Sequence, residues 1–282
     1  MVLGGRLRRL REARGITRER AGDAIRASHS KISRLELGRV GFRERDVADL
    51  LTLYRVTDAE ERESFLALAR QANESGWWHR DADWLPRGFD TYLGLEQAAS
   101  IIRVYEPNVV PELLQTPDYA RAVLAITHRN ETDDVLDRRV ALRIRRQVIL
   151  LSPDAPRFWV CVEEAALRRQ IGGPEVWQAQ LNYLAGVATA AHVTLQILPD
   201  TAAGPALVDG GFTVLRFAEP DLPDIVYLQH LTSSLYLDKR ADLDAYLAVA
   251  DRLSVAAAPP DKTPAILAAI RDHRTHHTGI GA

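Results

Sequence analysis

The sequence has little of what staples, spans or catalyses. Its single cysteine, Cys161, stands in the apolar run Phe158 to Val162, so no disulfide can close within the chain and a cystine-stapled secreted fold is excluded. No uncharged apolar stretch reaches the ~18 residues that a membrane helix needs. Met1 to Leu10 already contains Arg6, Arg8 and Arg9, and no basic segment there leads into an apolar core. The expectation is a cytoplasmic protein that engages no membrane, associated with the nucleoid if its partner is DNA. GxSxG, HExxH, CxxC and P-loop patterns are all missing, so the sequence names no catalytic residue, no metal ligands and no cofactor.

What is there is a chain of 282 residues, 46% hydrophobic and 26% charged. At about 100 to 200 residues per domain, that length predicts two domains. The formal net charge of −2 hides a split: residues 1–45 hold 13 Lys or Arg against 5 Asp or Glu, and residues 46–282 hold 23 against 33. A basic end on an acidic remainder is the footprint of a nucleic-acid-binding head on a body with another task. A solvated basic helix without a partner would carry the same charge.

Five helical patterns precede residue 76. They run over about Gly5–Arg14, Thr17–Ile25, Ser28–Gly38 and Arg43–Tyr54, with a fifth opened by the capping box Thr57 and Glu60. These predict an all-α head over residues 1–75. Residues 76–91, with Trp77, Trp78 and Trp84, read as a linker anchored by aromatics. Over 92–270, helical patterns at Pro117–Thr127, Asp133–Leu151 and Pro174–Ala190 are interspersed with strand-like runs at Phe158–Val162, His192–Leu198, Phe212–Phe217 and Ile225–Leu228. The prediction is a multidomain chain: a five-helix head, then an α+β body with about four strands, a loose connection at Val255–Pro260 and a frayed tail over 271–282.

The segment Gly15 to Glu36, GITRERAGDAIRASHSKISRLE, carries the chemistry. Two helices that cross steeply through a short turn need a small side chain where they touch, and Gly22 supplies it. Ile16, Ala21, Ile25, Ile32 and Leu35 then share one inner surface. That leaves His29, Ser30, Ser33 and Arg34 on the outer face of the third helix. A helix fits the major groove of B-DNA, where Arg bonds guanine through O6 and N7 and Ser or His bonds either strand. Phosphate contacts fall to Arg18, Ser28, Lys31 and Arg39, and to Arg43 or Arg45 at the start of the fourth helix. The competing reading makes His29 and Arg34 ordinary exposed residues of a protein-interaction domain.

Through the stretches LRRLREARGIT, SKISRLELG and DVADLLTLY, residues 5–54 resemble the lambda-repressor or Xre class of helix-turn-helix domains. The resemblance implies base reading by His29, Ser30 and Arg34, phosphate contact by Arg18 and Ser28, and a buried Glu36 closing the recognition helix. That class usually has a turn glycine where Arg26 stands, so Arg26 is strained or the turn differs. Residues 60–270 are similar to actinobacterial Xre-type regulators whose C-terminal domain is of unknown function and antitoxin-like. GWWH at 76–79, YLGLEQAASIIRVYEP at 92–107, VPELLQTPDYARAV at 110–123, RIRRQVIL at 143–150 and EEAALRRQIGG at 163–173 carry that similarity. It implies a small partner protein encoded by a neighbouring gene. The chain departs from the pattern at Glu112, usually glycine, and at Gln229, usually an acid.

In the body, Glu163 and Glu164 end a strand, where a carboxylate acts as acid or base if burial raises its pKa, or simply faces a helix N-terminus. The arginines at 138, 139, 143, 145 and 146, Arg143 and Arg146 among them, either bind an anionic ligand or form a solvated face paired with Asp133, Asp134 and Asp137. Trp77 and Trp78, with Trp84 and Tyr92, either stack on a flat ligand or dock the linker. His273, His276 and His277 make a poor metal site. Operators of this class are read by dimers, so a homodimer joined mostly through its body is expected on a double-stranded operator. The reading is a sequence-specific regulator whose body senses a ligand or a small partner protein. The alternatives are an antitoxin-like protein neutralising that partner and a DNA-targeted enzyme.

Overall fold

The head is set out by caps that can be traced residue by residue. Thr17 accepts a hydrogen bond from the Arg20 amide and Ser28 from the Lys31 amide, which starts α2 (Arg18–Ala24) and α3 (His29–Glu36). Helix α1 (Val2–Ala13) precedes them, and α4 (Glu44–Leu53) and α5 (Ala59–Asn73) follow. At α5 the cap is not Thr57: the Asp58 carboxylate accepts from the Glu61 amide at 2.7 Å, because an anion satisfies the positive helix end better than a hydroxyl. Leu7, Ile32, Leu35, Val47, Leu50 and Leu51 are fully buried between the helices. Each such side chain contributes about 1.5–3 kcal/mol. Helix α1 begins earlier than Gly5, and Gly4 lets it cross the end of α3: a Cβ there would lie 2.5 Å from the carbonyl oxygens of Leu35 and Glu36.

The computed structural model describes residues 2–38, 40–73, 77–78, 85, 88–202, 210–219, 222–230 and 233–275. Its chain divides into two units, one holding residues up to 98 with 217–223, the other holding 99–216 and the residues from 224 on. Helix α6 (Phe89–Ala98) belongs to the first unit.

The second unit is built on a sheet of six strands, not about four, in the order β3-β2-β1-β4-β5-β6. Strands β1 (Ala99–Glu106), β2 (Arg157–Glu163) and β3 (Val193–Leu198) run parallel, with Ile102 opposite Phe158 and Phe158 opposite Val193. Strands β4 (Phe212–Phe217), β5 (Ile225–Gln229) and β6 (Ser234–Leu237) pair antiparallel. Strand β1 escapes sequence reading because α6 passes into it at Ala98–Ala99 with no glycine or proline between, and Arg103 interrupts its apolar run. That arginine lies 5.0 Å over the Trp159 ring and bonds Asp251 at 2.9 Å. Strand β6 is missed because it has only four residues.

Helices α7 (Pro117–Thr127), α8 (Asp133–Arg146), α9 (Glu164–Arg168) and α10 (Pro174–Val187) connect the parallel strands. The last turn of the pattern expected to Leu151 tightens to a 3-10 helix, Gln147–Leu151. Helix α11 (Arg240–Ala256) lies over one sheet face, where Leu243, Ala250 and Leu253 meet Tyr105, Cys161, Phe212 and Val226. Gln196 ties its end down, accepting from Trp159 at 2.8 Å and donating to the Ser254 and Ala258 carbonyls at 3.1 Å. Helix α12 (Thr263–Thr275) takes up residues 271–275, expected in the tail; residues 276–282 lie outside the described ones. Cys161 is fully buried, and burial pushes its thiol up to about 12.

Candidate nucleic-acid interface

Helices α2 and α3 touch at Gly22, where a Cβ would stand 2.5 Å from the Ala27 carbonyl oxygen. The Ala27 amide instead closes the turn onto the Gly22 carbonyl at 2.8 Å. Arg26 takes the strained alternative, with φ 52°. Ala21, Ile25, Ile32 and Leu35 face inward and are buried; Ile16 packs beside them.

On the opposite side of α3, His29, Ser30 and Arg34 are exposed, and Ser33 is half-buried. The Arg34 Nε lies 3.4 Å from the Ser30 carbonyl, and the His29 Nε2 lies 3.4 Å from the Ser30 hydroxyl. The helix therefore presents a mixed donor and acceptor face, and the major groove of B-DNA admits an α-helix. Arg43, the N-cap residue of α4, makes no side-chain cap bond; it and Arg45 are exposed. Arg39 lies outside the described residues.

Two of the expected phosphate donors are held by carboxylates. Arg18 bonds Glu36 through Nε at 3.3 Å, and Lys31 bonds Asp46 at 2.7 Å. Glu36 is buried and bonded mainly by Arg11, whose Nη2 reaches it at 3.1 Å while Nη1 donates to the Ile16 carbonyl at 2.8 Å. The Glu36 hydrogen bond holds the Arg11 pKa above its ordinary value, against the effect of burial. Sequence reading missed Arg11 and Asp46. The signal for Arg11 was its place on the α1 stripe of Leu3, Leu7 and Arg11, where an arginine must find an anion.

The body's expected residues have internal partners. Arg143 and Arg146 both bond the Glu112 carboxylate, Arg143 also bonds Gln115 at 2.8 Å, and Gln147 donates to the Glu112 and Gln115 carbonyls. Burial pushes the Glu112 pKa up, but the two guanidinium groups outweigh it and hold it at about 2. Glu163 accepts from the Tyr105 hydroxyl, and Glu164 pairs with Arg168 one turn on. Asp133 and Asp137 pair with Arg121, and Arg139 pairs with Glu131 at 2.6 Å. Neighbouring Glu106 is pushed to about 7 by burial, although the Asn108 amide donates to it at 3.1 Å.

Trp77 and Trp78 meet edge to face at 5.7 Å, and Trp78 lies against Gly94 of α6. Trp84, His276 and His277 lie outside the described residues. Among the described residues, no group of three His, Cys, Asp or Glu could hold a metal ion, and no helix is long and apolar enough to cross a membrane.

No curated protein and no solved structure matches the chain. A helix-turn-helix domain profile matches residues 2–65, which span α1 to α4 and the first half of α5, so the N-terminal part of the chain is a helix-turn-helix DNA-binding domain. The second match, residues 89–269, takes in α6, the whole sheet and the helices around it. It covers more than half of the chain, and the chain therefore belongs to the DUF5753 family, which is defined by a domain of unknown function.

Proposed function

We propose that this protein is a sequence-specific transcriptional regulator of the Xre type, in which α3 reads bases and the body transmits the state of a ligand or small partner protein. The observation that carries the reading is the exposed face of His29, Ser30 and Arg34 on a capped helix whose other face is buried. Arg18, Ser28, Arg43 and Arg45 position the duplex through its phosphates, and Arg34 supplies the bidentate guanine contact. Two copies act on half-sites about one helical turn apart. A ligand or partner that prefers one arrangement of the two heads changes operator affinity by that preference and by no more.

Chromatin immunoprecipitation followed by footprinting supplies the operator for the test. Arg34→Ala then costs about 1–3 kcal/mol and relaxes base preference at one position, whereas Arg18→Ala weakens binding to all sequences alike. If gel shifts showed both variants binding the operator as the parent does, α3 would not be the reading element.

A further inference from the structure

We propose that Asp46 limits how tightly the head holds DNA of any sequence, by neutralising Lys31 at the edge of the reading face. The proposal rests on the DNA-binding reading of α3 and adds a residue that sets its selectivity. Lys31 lies in the first turn of α3, the end that approaches the groove in helix-turn-helix domains. Its ammonium sits 2.7 Å from the Asp46 carboxylate of α4, with side-chain exposures of 29% and 12%. The anion is thus fixed in the protein, and the cation is the more exposed member of the pair.

A phosphate approaching Lys31 meets a charge already balanced. Sequence-independent affinity follows the number of phosphates neutralised, through counterions released from the duplex. Such contacts strengthen operator and non-operator DNA together, because phosphates carry no base identity. Masking Lys31 therefore lowers the general term while leaving His29, Ser30 and Arg34 untouched. Arg43 and Arg45, exposed at the start of the same α4, have no ion pair among the described residues and supply the general term unmasked.

The test uses the full chain and a random-sequence duplex, with affinity followed by fluorescence anisotropy between 50 and 200 mM salt. Asp46→Asn keeps the side-chain shape and frees Lys31. Its log affinity falls with log salt more steeply than the parent's by about 0.9, which is about a 3.5-fold larger loss over that range. Lys31→Gln alone leaves the parent slope unchanged, and the double variant returns to it.

An unchanged slope in Asp46→Asn makes Asp46 a brace between α3 and α4 and overturns the proposal. A slope shallower by about 0.9 in Lys31→Gln shows Lys31 already on a phosphate and overturns it too, whether or not Asp46→Asn folds. A parent that binds no duplex overturns the DNA-binding reading itself, and this proposal with it.

Discussion

Replacing Arg26 by glycine should stabilise the head. Arg26 holds φ 52° in the turn between α2 and α3, its side chain is exposed, and its amide donates to the Asp23 carbonyl at 3.2 Å. An L-residue in that conformation is disfavoured by about 1–2 kcal/mol, and glycine is not. Glycine also widens the unfolded ensemble, which returns about 0.4–1 kcal/mol. The difference leaves Arg26→Gly more stable by about 0.5–1 kcal/mol, or roughly 2–8 °C in the melting temperature of a domain of 60–100 residues. Calorimetry of the full chain reads this directly, with Arg26→Ala as the control because alanine removes the charge and keeps the strain. An equal gain in Arg26→Ala, or no gain in Arg26→Gly, would refute the backbone argument.

Two further predictions concern the body. Glu112→Gln leaves Arg143 and Arg146 without their carboxylate and costs about 1.5–3 kcal/mol in urea unfolding, as expected for charged hydrogen bonds lost at a part-buried site. With the folded pKa held at about 2, that stabilisation is complete above the ordinary value of 4.5 and is lost as pH falls towards 2; an acid limb unchanged in Glu112→Gln contradicts this. Glu106 works in the opposite sense. Its folded pKa of about 7 means the native state keeps a proton that the unfolded chain releases, so its contribution to stability falls as pH rises from about 4.5 to 7. Glu106→Gln should remove that decline and melt above the parent at pH 8; an unaltered profile would refute it.

The head was legible in the sequence because its information is local. Thr17 and Ser28 cap helices where hydroxyls precede apolar periodicity, and the spacing that put His29, Ser30 and Arg34 outward is the one found. Arg26 was flagged by the glycine that usually stands there, and the structure decides for strain over a changed turn. What stayed hidden was pairing over distance. Arg11 meets Glu36 across 25 residues, and Arg143 meets Glu112 across 31, and no spacing rule joins such partners. The arginines of α8 therefore read either as an anion site or as a solvated face paired with Asp133, Asp134 and Asp137, and neither reading reached Glu112. Strand β1 was hidden by the absence of punctuation at Ala98–Ala99 and by an arginine whose aromatic partner, Trp159, lies on another strand.

The solitary thiol of β2 makes the chain a convenient chassis for site-directed labels. Cys161 reacts as a thiolate or not at all, and in the native body it is both sealed from solvent and held protonated. A maleimide dye added to a cysteine engineered on the surface will therefore mark that position alone. The slow appearance of dye on Cys161 itself becomes a stopwatch for opening of the sheet.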